Sequence, residues 1–339
     1  MVMVMNVIVV SDGDLKNTFE GRDHEELNLG SVAGVTDRGI RHERNEDALA
    51  LAAVQSPAGP AAVVVVCDGV STADRPDEAS LEAARTAVHE LAEAAQAGAD
   101  LGAASEQAIT SARDAVIALA ENAEETPAAT YVSAVVTTDL VTLCWMGDSR
   151  AYWLFAEPEP AAQQLTRDDS LAEEMVAQGM LAEADALESP QAHVVTRWVG
   201  PGARDAEPHI AQFTPPGPGV LLLCSDGLWN YDPDGGKMAT LAMPTALRNP
   251  RAAAMALLLY ALEAGGVDNI TVAIVPYPLG GPDAEPGSAP QGSEPQGNEP
   301  QGNEPQDSET QRDETQRNET QRNEPAEDEG AGNEPGDPS

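Results

Sequence analysis

The sequence predicts an α+β fold in which antiparallel strands pack against long helices. Short apolar runs rich in β-branched residues end in turn residues, as in residues 61–71, which read A-A-V-V-V-V-C-D-G-V-S. Such side chains are stiff at χ1 and pack well on a pleated surface. Segments 77–97 and 101–122 are instead rich in Ala and Glu, and their apolar residues recur at helical spacing.

The individual elements follow from the same two patterns. Strands are predicted at residues 31–35, 48–54, 61–67, 131–136, 141–146, 151–155, 210–213, 220–224 and 270–275. Helices are predicted at residues 77–97, 101–122, 170–178, 183–187 and 249–264. Gly98 separates the first two helices, which we expect to form a hairpin lying on a sheet. Strands joined by short turns, such as the one at Thr138, are typical of antiparallel sheets.

Composition divides the chain into three parts. Residues 1–28 are expected to be an unstructured lead-in, and residues 29–278 a single folded domain. Residues 279–339 form an acidic near-repeat, E-P-Q-G-N changing to E-T-Q-R-N, without an aromatic residue beyond position 279. Such a composition buries too little apolar area to offset the entropy of ordering, so this tail is predicted to be disordered.

Charge and cysteine content limit the partners and the compartment. The formal net charge is −39, of which the 16 acidic and 3 basic residues beyond position 279 account for one third. Acidity of this kind argues against nucleic acid and against anionic membrane surfaces, because both are bound through Lys and Arg. The three cysteines lie in apolar strand ends and are expected to be buried thiols, which favours the cytoplasm. We expect a monomer.

Four aspartates stand at predicted strand ends: Asp68, Asp148, Asp226 and Asp268. The segment Asn-Glu-Asp at 45–47 opens a further strand. A single Asp-Gly after a strand is usually only a turn. Four strand-end aspartates together with Asn-Glu-Asp instead favour one shared functional site. Carboxylate oxygens suit Mg²⁺ or Mn²⁺, and two such ions can activate a water for displacement at phosphorus.

The order of the motifs resembles that of the metal-dependent protein phosphatase 2C (PPM) family, especially its bacterial members. The matching segments are R-G-x-x-x-x-x-N-E-D-A at 38–48, C-D-G at 67–69, G-D-S-R at 147–150, S-D-G-L-W at 225–229 and D-N-I-T-V at 268–272. The resemblance implies a four-layer α-β-β-α sandwich of two antiparallel sheets flanked by helix pairs. It also implies hydrolysis of phosphoserine and phosphothreonine in proteins by a metal-bridged water, in opposition to a Ser/Thr kinase.

The resemblance also implies a role for each matching residue. Asp68 corresponds to the carboxylate that bridges two ions, assisted by the Gly69 carbonyl, and Asp226 and Asp268 correspond to further ligands of that pair. Asp68 and Asp226 are therefore the expected catalytic residues. Asp148 corresponds to the ligand of a third ion in bacterial members. Glu46 and Asp47 match the acidic pair beside the centre and are also expected metal ligands, Glu46 less directly than Asp47. In all, two or three Mn²⁺ or Mg²⁺ ions are expected.

Two positions depart from the family pattern. The family's phosphate-binding Arg stands three residues before the Asn of N-E-D, where this chain has His42. A histidine cannot form the bidentate fork of a guanidinium, so His42, Arg41 and Arg44 are all candidates for binding substrate phosphate. Some members have a histidine two residues after the bridging aspartate, proposed as general acid, where this chain has Val70.

Residues 166–200 match the family's flap, a segment expected to shape substrate access. His193 and Arg197 lie in it as candidate substrate contacts, although packing or surface roles are also open. Two alternatives to a phosphatase remain. One is a signalling or interaction protein that keeps the phosphatase fold with weak or no catalysis. The other is a different two-metal phosphohydrolase, which conflicts with the acidic body when the substrate is a nucleic acid.

Overall fold

A computed structural model of the chain describes residues 6–9, 23–122, 124–157, 159–202 and 206–279. The predicted acidic tail beyond Leu279 and most of the predicted lead-in lie outside these residues. Within the described ranges, no helix is both long and apolar enough to cross a lipid bilayer.

Two antiparallel sheets, each of six strands within the described residues, form the centre of the domain. The first sheet contains, in spatial order, β1 (Asn6–Val9), β4 (Asp47–Ser56), β5 (Gly59–Asp68), β6 (Tyr131–Val136), β7 (Val141–Met146) and β10 (His209–Phe213). The second contains β2 (His24–Asn28), β3 (Ala33–Asp37), β12 (Ile270–Tyr277), β11 (Gly219–Cys224), β8 (Arg150–Phe155) and β9 (Ala162–Gln164).

Helices cover the outer face of each sheet. The long hairpin of α1 (Pro76–Ala97) and α2 (Leu101–Ile117) packs on the first sheet, while α5 (Gly236–Ala246) and α6 (Pro250–Ala264) pack on the second. The shorter α3 (Leu171–Ala177) and a 3₁₀ turn at Glu183–Asp185 lie in the flap, and α4 (Asp226–Trp229) follows β11 directly. This arrangement confirms the expected four-layer sandwich and the predicted helical hairpin.

The valine run of β5 shows why this sequence makes a central strand. Val63 and Val65 pack beneath α1 and α2. Val64 and Val66 point the opposite way and pack between the two sheets. A strand buried on both faces needs an unbroken apolar run, and each buried valine contributes about 1.5–3 kcal/mol of transfer free energy. The run therefore fixes β5 in the interior and delivers Asp68 to its end.

The prediction of an unstructured lead-in through residue 28 is wrong for the described parts of that segment. His24–Asn28 is a strand that pairs with β3, and Asn6–Val9 pairs with β4. The letters H-E-E-L-N carry no strand signal of their own. The strand is held instead by tertiary contacts: His24 Nδ1 lies 3.1 Å from Asp37 Oδ2, and Leu27 is buried against the sheet interface.

Helix α5 and strand β9, like the four-residue α4, have no counterpart among the predicted elements. Helix α5 begins at Gly236 and contains Pro244, both of which are unfavourable in a helix interior and hide its pattern. Strand β9 has only three residues and lies at a sheet edge beside β8. Both owe their conformation to packing on the second sheet, which a local pattern does not report.

Candidate metal centre

Strands of both sheets bring the predicted aspartates to one end of the sandwich. Asp47 opens β4 directly opposite Asp68, the last residue of β5, so the first sheet contributes this pair in register. Asp226 and Asp268 lie beside the ends of the adjacent strands β11 and β12 of the second sheet. The charges of Asp47, Asp148, Asp226 and Asp268 all act on the ionisation of Asp68, which places the five carboxylates in one neighbourhood.

The electrostatics of this neighbourhood are unfavourable for the protein on its own. Burial raises the pKa of Asp47 to about 7 and that of Asp148 to about 7. Burial, and then the neighbouring carboxylates, also raise the pKa values of Asp68 and Asp226 well above the ordinary range. Carboxylates placed together without a buried cation resist ionisation. The arrangement therefore favours binding of a positive ion.

Asp47 provides a specific test of whether such an ion fits. Its Oδ2 atom accepts hydrogen bonds from Ser225 Oγ and Thr271 Oγ1, each at 2.7 Å. Its Oδ1 atom is buried and accepts no hydrogen bond within the described residues. The side chain of Asp68 is a neighbour of Asp47, but an ionised carboxylate can only accept hydrogen bonds. In that form Asp68 therefore cannot donate one to Asp47 Oδ1. A buried carboxylate oxygen without a hydrogen-bond donor, beside a second carboxylate, is the kind of oxygen ligand that Mg²⁺ or Mn²⁺ prefers.

These carboxylates are neighbours, but they do not converge on a common position. In the part of the chain that the structure describes, no three Asp, Glu, His or Cys side chains are gathered tightly enough to hold an ion. Asp68 and Asp226 are partly exposed to solvent, whereas Asp47 and Asp148 are buried. Like charges repel, so we expect the carboxylates to draw together only around a cation.

Asp68 and Gly69 are held by the backbone around them. The Asp68 amide donates to Thr130 Oγ1 at 3.0 Å, and the Asp68 carbonyl accepts from the Thr130 amide at 2.7 Å. The Gly69 amide donates to the Glu46 carbonyl at 3.0 Å. A Cβ atom at Gly69 would collide with the Pro76 and Glu46 carbonyls, so only glycine fits. The Asp-Gly pair is thus fixed by packing as well as by its turn.

Glu46 differs from the aspartates, because both of its carboxylate oxygens already have partners. Oε1 accepts from Arg44 Nε at 3.0 Å, and Oε2 accepts from Ser71 Oγ at 2.7 Å. Arg44 Nη1 also lies 3.4 Å from Asp77 Oδ1 at the start of α1. Glu46 and Arg44 therefore form an ion-pair network at the edge of the centre.

His42 lies directly against a predicted metal ligand. Its Nε2 atom is 3.1 Å from Asp268 Oδ1, and both side chains are partly exposed. The following residue, Asn269, accepts from the Glu46 amide at 2.7 Å and donates to the Arg44 carbonyl at 3.1 Å. Asn269 thus orients the 38–47 loop. Arg41 is exposed and forms no ion pair within the described residues.

Asp148 and Asp226 each accept a hydrogen bond from a residue at the C-terminal end of α4. The Trp229 indole donates to the Asp148 carbonyl at 2.9 Å, and Asn230 Nδ2 donates to Asp226 Oδ2 at 3.2 Å. The Arg150 guanidinium lies 3.6 Å from the centre of the Trp229 ring. The His193 ring of the flap stacks on Trp229 at 6.1 Å, although His193 remains exposed. This tryptophan therefore joins the flap to the carboxylate neighbourhood.

Several residues that support the centre were not singled out from the sequence. Ser225 and Thr271 lie inside the motifs S-D-G-L-W and D-N-I-T-V, but small hydroxyl residues in strands give no signal of a long-range contact. Arg150 forms a buried bidentate pair with Asp168, with Nη2 to Oδ2 at 2.7 Å. The only sequence signal for that pair is that both residues lie in family-like motifs.

Comparisons with known proteins identify a matching family and several similar sequences. A family model for protein phosphatase 2C matches residues 38–254. The serine/threonine phosphatase stp of Listeria innocua is 32% identical over 147 residues, which are 43% of this chain and 55% of the relative. The serine/threonine protein phosphatase PstP of Mycobacterium tuberculosis is 26% identical over 244 residues, 71% of this chain and 44% of the relative. The chain thus spans about half the length of the curated relatives it matches.

Solved structures of phosphatases are similar to this fold. The PPM Ser-Thr phosphatase MsPP of Mycobacterium smegmatis, solved with cacodylate, is 26% identical with a TM-score of 0.58, covering 72% of this chain and 97% of that one. The catalytic domain of PstP in complex with two manganese ions is 25% identical with a TM-score of 0.56, covering 72% of this chain and 96% of that one.

Proposed function

Because the chain belongs to the protein phosphatase 2C family, we propose that it is a metal-dependent phosphatase acting on phosphoserine and phosphothreonine in proteins. The observation that carries this proposal is the set of mutually destabilised carboxylates, in which buried Asp47 keeps one oxygen without a donor. A protein that only binds partners has no physical reason to retain such an unfavourable cluster.

Asp68, Asp226 and Asp268, with the Gly69 carbonyl and Asp47, are the groups that would hold two Mn²⁺ or Mg²⁺ ions, and Asp148 would hold a third. When bound, the ions would lower the pKa of water and neutralise charge on the phosphoryl oxygens. Asp68 and Asp226 are the proposed catalytic carboxylates. The contacts of Glu46 with Arg44 and Ser71 support an orienting role for that residue. Ser225 and Thr271 fix the Asp47 carboxylate.

Substrate phosphate is proposed to bind beside His42 and Arg41 on the 38–47 loop. Arg44 is less suited, because its guanidinium is already paired with Glu46 and Asp77. His42 lies at the edge of the carboxylate neighbourhood through its contact with Asp268. Arg41 is exposed on the same loop and is not occupied by an ion pair in the described residues.

We expect His42→Arg to lower KM for a phosphothreonine peptide by about three- to tenfold, because a guanidinium donates two parallel hydrogen bonds to phosphate. Arg41→Gln is expected to raise KM by a similar factor. Steady-state kinetics with Mn²⁺ measures both, and Arg85→Gln, an exposed ion-pair residue on α1, is the matched control. An unchanged or higher KM in His42→Arg would count against phosphate binding at this position.

Compartment and partners are further parts of the proposal. The three cysteines, Cys67, Cys144 and Cys224, are buried and free, and burial raises the pKa of each thiol. Inert reduced thiols support a cytoplasmic location. The expected partners are phosphorylated proteins and, as the opposing activity, a Ser/Thr kinase. We propose that the enzyme acts as a monomer.

The full chain is expected to hydrolyse para-nitrophenyl phosphate and a phosphothreonine peptide with Mn²⁺ or Mg²⁺, and to lose this activity in EDTA. Phosphate release is the measurement, with a phosphotyrosine peptide of the same sequence to test the substrate class. If neither substrate turns over although Mn²⁺ binds by calorimetry, the chain is an interaction protein that retains the phosphatase fold. Hydrolysis of phosphodiesters alone would instead indicate another two-metal phosphohydrolase.

A further inference from the structure

The two ends of the flap meet at one carboxylate, Asp169. Its Oδ2 atom accepts a hydrogen bond from the Gly147 amide at 3.1 Å, and its own amide donates to the Gly147 carbonyl at 2.9 Å. Its carbonyl accepts from the Thr196 amide at 2.8 Å, close to the far end of the flap. Asp169 thus connects the turn before Asp148 with both limbs of the 166–200 segment.

The second oxygen of Asp169 faces two basic side chains. His209 Nε2 lies 2.9 Å from Oδ1 and 3.2 Å from Arg197 Nη1, and Arg197 Nε lies 3.6 Å from Oδ1. The His209 ring stacks on Trp145 at 5.0 Å with an interplanar angle of 22°. Trp145 in turn donates to the Arg167 carbonyl at 2.9 Å. The carboxylate is therefore held from β7, from β10 and from the flap itself.

The position of Gly147 makes this contact consequential. Gly147 has φ 104°, a conformation open to glycine, and the Thr130 side chain occupies the space of a Cβ. Its peptide groups set the direction in which the chain leaves toward Asp148. Glycine turns are intrinsically mobile, so an outside anchor is needed to hold one orientation. Asp169 contacts both the amide and the carbonyl of Gly147 and supplies that anchor.

We propose that Asp169, together with His209 and Arg197, is a positioning group that locks the flap ends to the Gly147 turn and so fixes where Asp148 points. These three residues are called the Asp169 clamp. The inference rests on the proposed function, because it gives the flap and Asp148 a common support in the phosphatase. None of the three is proposed to bind metal or phosphate. The clamp acts through Gly147 and through the strand pairing of the flap base, where Ser170 bridges Val195.

The clamp is tested first without metal or substrate. In Asp169→Asn and in His209→Gln we expect the peptides covering 145–150 and 194–199 to exchange amide hydrogens about tenfold faster, since a hydrogen bond to a charged group is lost. Hydrogen–deuterium exchange with mass spectrometry measures this. Glu173→Gln is the matched control, because it removes a flap carboxylate paired with Arg167 that does not reach Gly147.

The second measurement separates positioning from general stability. Both clamp variants are expected to weaken the lowest-affinity Mn²⁺ binding step several-fold by calorimetry and to raise KM for a phosphopeptide more than they lower kcat. The double variant should be no worse than the more affected single one, because both remove the same contact. Additive effects, or faster exchange spread over the whole domain instead of these two peptides, would overturn the proposal.

The two hypotheses fail separately in these experiments. Unchanged exchange in both peptides overturns the clamp whether or not the wild type is active. Absence of Mn²⁺-dependent turnover in a wild type that shows the expected exchange pattern overturns the proposed function and leaves the clamp as a property of the fold. If Asp169→Asn does not fold, His209→Gln alone decides the exchange test, since His209 is partly exposed.

Discussion

Asp68→Asn is expected to abolish Mn²⁺-dependent hydrolysis of para-nitrophenyl phosphate, by about 10³-fold or more, while raising the Tm of the metal-free protein by a few degrees. The loss follows because Asp68 is proposed to help hold the ions, which would stabilise charge on the phosphoryl group by several kcal/mol. The gain follows because burial, and then four neighbouring carboxylates, disfavour the ionised form of Asp68, and a neutral amide avoids this cost. Phosphate release and thermal unfolding in EDTA measure the two effects.

The opposite signs make this experiment informative. A residue that only packs would lower Tm when changed, whereas a strained metal ligand raises it at the expense of function. Asp114→Asn, an exposed aspartate on α2, is the control and should change neither quantity. Retention of full Mn²⁺-dependent activity by Asp68→Asn would contradict the assignment of Asp68 as the bridging carboxylate.

The metal-free protein is expected to lose stability as the pH rises from about 5.5 to about 8, and Mn²⁺ is expected to restore it. The folded-state pKa of Asp47 is raised by burial from 3.8 to about 7. Between these values the folded chain retains a proton that the unfolded chain has released, so its stability falls with rising pH. The whole shift corresponds to about 4 kcal/mol at most, of which about 2 kcal/mol falls above pH 5.5, and Asp148 adds in the same direction.

Thermal unfolding in EDTA and in Mn²⁺ across this pH range provides the measurement. Mn²⁺ should raise Tm more at about pH 8 than at about pH 5.5, because the ion binds the ionised carboxylates. Asp47→Asn serves as the reference, since it removes one titrating group. In EDTA its Tm should therefore depend less steeply on pH than that of the wild type. A wild-type curve no steeper than that of Asp47→Asn would show that Asp47 is not destabilised by its surroundings.

The strand-end aspartates were predictable because their signal is local. A valine run buried on both faces and terminated by Asp-Gly identifies both the strand and the residue at its end. Periodicity likewise identified α1 and α2, where packing and local propensity agree.

What the sequence did not predict depends on distant contacts. Ser225 and Thr271 reach Asp47 across 178 and 224 residues of chain, and no local pattern marks such a pairing. The strand His24–Asn28 consists mostly of polar residues. It forms because it pairs with β3. Arg44 was a candidate for phosphate binding on charge alone, and only the structure places it against Glu46 and Asp77.

The proposed ligands are divided between the two sheets, with Asp47 and Asp68 on the first and Asp226 and Asp268 beside the second. Neither sheet alone contains enough of them to hold an ion tightly. We therefore expect metal affinity to depend on the docked pair of sheets and to be absent from a partly assembled chain. A bound ion would hold the two sheets together in the folded state. We expect it to slow unfolding and to leave the rate of folding almost unchanged.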